Sequence, residues 1–332
     1  MQKKLYTGMA LIGALVAAPF VAATELTLYS GRGESLVQPI IEQFEKKSGI
    51  NVNVRYGDTA QLAVLIQEEG DRSPADLYWG QDAGAMGALA NSGMLDELPD
   101  SLYANLPEIF TSNTGQWVAA SGRSRVVAYS TERVSEDEIP ASVFDATNPE
   151  YKGRFGFAPT NGSFQSFVTA MRAVHGDAKT LEWLEGMKAN DAKIYRNNST
   201  QVQAIGDGEI DFGLVNNYYL PRFVAVDADF PVKQTYFKKD DIGNLVNVAG
   251  VAVLKTSDNK EAAVEFIEYM LSPSAQQYFT SVVNEYPVVD GIIPNPVLGS
   301  LETLLDVAPV VDLDQLSDLE GTLKLLRDAE LL

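Results

Sequence analysis

The chain has 332 residues, 25 lysines and arginines against 45 acids, and a formal charge of −20, with no cysteine and one histidine. Such acidity opposes nucleic acid and anionic lipid. The missing cysteines exclude disulfide staples and thiolate metal sites, and the length predicts two domains.

Lys3 and Lys4 precede the uncharged run "LYTGMALIGALVAAPFVAA". This pattern predicts a cleavable secretory signal over residues 1–23, ending on Ala23, with no following cysteine to carry a lipid anchor. Its removal takes two lysines and no acid, which carries the charge from −20 to −22. No later apolar run has spanning length, so the mature chain is expected to be exported and not membrane-embedded.

"ELTLYSG" (25–31) alternates as a strand, and "SLVQPIIEQFEKKSG" (35–49) carries Leu36, Val37, Ile40, Ile41 and Phe44 at helical spacing with Gly49 as a stop. "INVNVRYG", "TAQLAVLIQEEG" and "ADLYWG" continue as strand, helix and strand. This order predicts a mostly parallel sheet flanked by helices. Alternation resumes at "SRVVAYS" (124–130) and "GRFGFAP", followed by helices at "SFQSFVTAMRAVHG" and "TLEWLEGMKAN". "AKIYRNN", "TQVQAIGDGE" and "IDFGLVNNYY" read as strand, helix and strand; "LVNVAGVAVLKTS" reads as a buried strand or strand pair, and two amphipathic helices follow. Two alternating sets in one exported chain predict two lobes around a cleft.

Open α/β sheets bind ligands where loops leave the carboxyl ends of strands. Polar clusters lie there at "YSGRGES" (29–35), "WGQDAG" (79–84), "PTNGSF" (159–164), "RNNST" (196–200) and "NNYY" (216–219). Hydrolytic chemistry finds no footing. His175 sits near a helix end, where it caps; "TNGSFQS" and "SGRSRVV" lack the second glycine of a nucleophile elbow. "DLDQLSDLEG" (312–321) lacks the glycine of a calcium loop and reads as a solvated helix start. Tyr218 and Tyr219 would point to opposite faces of a regular strand, so sharing one ligand requires a bend, which Pro221 makes plausible.

The segments "LTLYSGRGES", "QEEGDRSPADLYWG", "SGRSRVVAYS", "NNYY" and "NEYPVV" stand in the order found in the periplasmic ferric-iron-binding proteins, the solute receptors of iron(III) ABC transporters, which the chain resembles over its mature length. The resemblance implies an α/β type II periplasmic binding fold, two lobes each with a mixed sheet flanked by helices, hinged around a cleft. It places lobe 1 at 24–122 and 249–300 and lobe 2 at 123–248 and 301–332, and makes Tyr218 and Tyr219 ligands of iron(III). Phenolates suit that hard cation once its charge has displaced their protons.

The chain departs from part of the family's pattern. Gly33 and Gln81 stand where some members have a histidine and a carboxylate, and the loop holding Asn161 and Phe164 lacks the third tyrosine of others. The resemblance therefore implies completion by carbonate or a similar anion and water. Arg32, Arg123 and Arg125 are candidate holders, with Asn161, Gly162, Ser163, Asn198 and Asn216, and Asp82 is an alternative carboxylate ligand. An ABC permease and its ATPase are the implied partners of a monomeric receptor, with iron release by protonation, reduction or anion loss left open. The rival reading is the same fold binding sulfate, phosphate or a phosphonate without iron.

Overall fold

The computed structural model describes residues 24–293 and 295–332. The signal expected over 1–23 lies outside them. Among the described residues no helix is long and apolar enough to cross a membrane.

The opening set folds as its periodicity predicts: β1 (Glu25–Ser30), α1 (Glu34–Ser48), β2 (Asn51–Tyr56), α2 (Thr59–Glu69), β3 (Leu77–Gly80) and α3 (Ala83–Asn91). Helix α1 stops where Gly49 takes a left-handed φ of 76° and returns its N–H to Glu45. The long strand β4 (Val118–Ser130) leads to β5 (Phe155–Phe157), α4 (Gly162–His175), α5 (Asp177–Ala189), β6 (Lys193–Ile194), α6 (Asn198–Gly206), β7 (Phe212–Asn216), α7 (Leu220–Val224) and β8 (Val232–Thr235). Then come β9 (Val246–Val253), α8 (Lys260–Met270), α9 (Pro273–Tyr278), α10 (Leu301–Val307) and α11 (Leu319–Asp328).

The strands lie in the order β2-β1-β3-β9-β4-β7-β5-β6, with β8 also on β4. Pairing is parallel within β2-β1-β3 and within β7-β5-β6, and antiparallel wherever β4 or β9 takes part. Residues Val118–Ser124 of β4 pair with β9, whereas Arg125–Tyr129 pair with β7. One strand thus serves both halves of the molecule. In the sequence this strand is legible only from Ser124. Its earlier part is buried on both faces, so "VAASGR" shows no alternation to read.

The C-terminal segment touches both halves. A 3-10 turn, Leu313–Ser317, lies on α3, where a Cβ on Gly84 or Gly87 would sit 2.6 Å from the Leu316 carbonyl oxygen or 2.7 Å from that of Asp314. Only hydrogen atoms fit at those two positions. On the other side α11 packs against α4, where Arg172 pairs with Asp318 at 3.0 Å and Thr169 shares a hydrogen bond with Thr322. The solvated helix start expected over 312–321 is corrected by Asp314, which accepts from Trp117 Nε1 at 2.7 Å and Asn113 N at 2.9 Å. Asp314→Ala strands the buried Trp117 donor and is expected to cost about 2–3 kcal/mol in denaturant unfolding. A loss under about 0.5 kcal/mol would show that the anchor is ornamental.

Candidate functional site

Strand β7 ends at Asn216, and Asn217 and Tyr218 form a turn before Tyr219, which has helical dihedrals (φ −82°, ψ −46°) and precedes α7. The bend that the tyrosine pair requires therefore comes before Pro221. The proline lies in the first turn of α7, where its missing N–H costs nothing. Side chains that would diverge in a strand now lie together: ring centroids are 4.5 Å apart, and the Tyr218 hydroxyl donates to that of Tyr219 at 3.5 Å. Arg222 lies over both rings, at 5.7 and 5.2 Å.

The phenols open into a cavity of about 350 Å³ between the two halves. The second half contributes Asn161, Gly162, Ser163 and Ser166 to its wall; Asp58, Thr59, Gln81, Asp82 and Arg123 line it opposite or beneath. A larger groove of about 650 Å³, lined by Glu97, Tyr103 and Glu108, includes none of these residues. Three helix N-caps meet at the site. Asp58 accepts from Ala60 N at 3.0 Å, Asp82 from Ala85 N at 3.2 Å and Asn161 from Ser163 N at 3.2 Å. The caps of α2 and α3 are carboxylates that offset the positive charge of those helix ends, whereas the cap of α4 is neutral and leaves its end's partial charge uncompensated.

Burial sorts the arginines. Arg123 lines the cavity, is 3% exposed, and its Nη1 has no protein partner among the described residues. Arg32 turns away from the cleft: its side chain is fully buried and pairs with Glu285 at 2.9 Å. Arg125 lies behind the tyrosines, donating to the Leu214 carbonyl at 2.6 Å, Asn216 Oδ1 at 3.3 Å and Asn198 Oδ1 at 3.5 Å. Burial lowers its pKa to about 10, against the opposing influence of Tyr218 and Tyr219. Asn216 then donates to the Tyr218 hydroxyl at 3.4 Å, and Asn198 to Asn161 Oδ1 at 3.2 Å.

Burial, followed by the neighbouring Tyr218, pushes the Tyr219 phenol above its ordinary pKa; Asn198 and Arg222 pull it partly back. Gly33 caps α1 at an exposed position, with nothing near its missing Cβ. His175 ends α4 edge-on to Phe144, outside the cavity wall. Thus Gln81, Asp82, Arg123, Asn161, Gly162, Ser163, Tyr218 and Tyr219 share the cavity, while Arg125, Asn198 and Asn216 support it from behind. Sequence reading missed Asp58, although "YGDT" leaves the carboxyl end of β2 by the same rule that located the other clusters.

Residues 39–302 match the family described as bacterial extracellular solute-binding protein, and the chain belongs to that family. It is 35% identical over 324 residues to the Major ferric iron-binding protein of Neisseria meningitidis serogroup B, covering 95% of this chain and 97% of the relative. The Fe(3+)-binding periplasmic protein of Serratia marcescens is 31% identical over 310 residues, covering 92% and 90%. Among solved structures, iron-bound HitA from Pseudomonas aeruginosa superposes with a TM-score of 0.82 at 35% identity, covering 92% of this chain and 99% of that one.

Proposed function

We propose that this protein is a periplasmic receptor that captures iron(III) between its two halves and delivers it to an ABC permease. The observation that carries this reading is the pair of phenol oxygens 3.5 Å apart at the cavity wall. Two phenolates give a hard trivalent cation two adjacent anionic oxygens, and the cation's charge offsets the cost of removing their protons. Names of relatives that cover nearly the whole chain point to the same cargo.

In this proposal Tyr218 and Tyr219 bind the metal from the second half. Arg123 and the amides at the start of α4 hold carbonate or a similar planar anion against it. Asp82, on the opposite wall, is positioned to add a carboxylate as the halves close. Strands β4 and β9 join those halves and are the proposed hinge. Residues 1–23 are proposed as the export signal, and the permease acts with a cytoplasmic ATPase. In this reading the protein's part is to bind, orient and release its cargo.

Iron(III) titration followed in the visible tests this reading. A phenolate-to-iron charge-transfer band is expected, saturating at one iron per chain and strengthened by bicarbonate. Arg123→Gln is expected to weaken binding about 10- to 100-fold, the scale of a lost supporting partner, and to flatten the bicarbonate response. A wild-type protein without a band, but protected from unfolding by sulfate or phosphate, would instead establish the anion-binding alternative.

A further inference from the structure

Arg125 presents an unusual balance of charges. Its guanidinium belongs to a residue 4% exposed, and the acceptors of its hydrogen bonds, the Leu214 carbonyl and the amide oxygens of Asn198 and Asn216, are all neutral. The rings of Phe164 and Phe167 lie 5.8 and 5.4 Å from its central carbon. A cation buried without a carboxylate is costly, and apolar packing alone does not require one.

The neighbours of this cation show what it organises. Arg125 stands opposite Asn216 in the β4–β7 register, one residue beyond the point where β4 exchanges β9 for β7. One arm of its network runs through Asn216 to the Tyr218 hydroxyl. The other runs through Asn198 to Asn161 Oδ1 and Ser163 Oγ at the start of α4. Asn216 N also donates to Asn198 Oδ1 at 3.3 Å, which ties the two arms together. Each asparagine turns its oxygen to the guanidinium and its amide nitrogen toward the cavity groups.

We propose that Arg125 is a positioning residue: its planar fork fixes the orientation of Asn198 and Asn216, and so holds the tyrosine pair and the anion-facing end of α4 as one preformed cradle. This rests on the iron reading above. Lysine would keep the charge but lacks the planar fork that reaches the Leu214 carbonyl and both amides together. Without that fork Asn216 loses the donor that orients its amide and Asn198 keeps only the Asn216 N–H on its oxygen, so the phenol and the helix end lose their common reference.

The test compares wild type with Arg125→Lys and Asn216→Ala in iron(III) titrations against citrate, with and without bicarbonate. Circular dichroism and thermal melts establish that each variant is folded. Folded Arg125→Lys is expected to bind about 10- to 100-fold more weakly, with its charge-transfer maximum displaced and its bicarbonate response reduced. Asn216→Ala cuts only the arm to Tyr218 and is expected to displace the band in the same direction; a folded Arg125→Gln decides the matter if Arg125→Lys does not fold. A wild-type band that the folded variants reproduce in position and affinity overturns this inference alone. A wild type with no band overturns the iron reading and this one with it.

Discussion

Phenylalanine at Tyr218 or Tyr219 is expected to lower iron(III) affinity by more than about a hundredfold, because supporting partners of a metal site are themselves worth about 10- to 100-fold and the phenols are its proposed ligands. The substitution keeps the ring and its packing, so the fold is expected to persist while the charge-transfer band falls. Burial and the neighbouring phenol raise the Tyr219 pKa, so that oxygen carries a proton across the neutral range until iron displaces it. Apparent affinity is therefore expected to fall at least about tenfold for each pH unit of acidification, and more shallowly in Tyr219→Phe. Titration at several pH values measures both effects. A Phe variant that matches wild type in band and affinity would remove the tyrosine from the coordination shell.

Glu285→Ala is expected to cost about 3–5 kcal/mol of stability, the scale of removing one member of a buried ion pair. Glu285 is 3% exposed; it accepts from Arg32 Nη1 at 2.9 Å and from the Ser121 hydroxyl. Among the described residues Glu285 is the carboxylate paired with Arg32, and the buried Arg32 Nε and Nη2 find no acceptor there. Burial pushes the Glu285 pKa up, but Arg32, Arg123 and Ser121 outweigh it and hold the carboxyl below its ordinary 4.5. A depressed carboxyl pKa contributes stability that is present above that ordinary value and lost as pH falls through the folded-state value. This contribution to wild-type stability is therefore expected to be lost progressively below about pH 4.5, and Glu285→Ala to lose this part of the acid dependence. Urea melts across pH 3–7 measure both effects; a loss under about 1 kcal/mol at neutral pH would mean that water already solvates Arg32.

The alternating halves and the position of most of the cavity wall are legible in short-range sequence patterns. Period-two runs such as "ELTLYSG", period-3.6 runs such as "LVQPIIEQF" and the Gly49 stop are short-range signals, and each folded where its spacing placed it. The rule that ligands gather at the carboxyl ends of strands located Gln81, Asp82, Asn161 and the tyrosines. Tertiary structure decided what each charged side chain does. Arg32, Arg123 and Arg125 look alike in a sequence, but one is sequestered by a carboxylate 253 residues away, one faces the cavity, and one is held by two asparagines behind it. Such choices rest on desolvation and on partners distant in the chain, and neither leaves a local period to read. The first part of β4 stayed hidden for a related reason: burial on both faces erases the alternation that marks a strand.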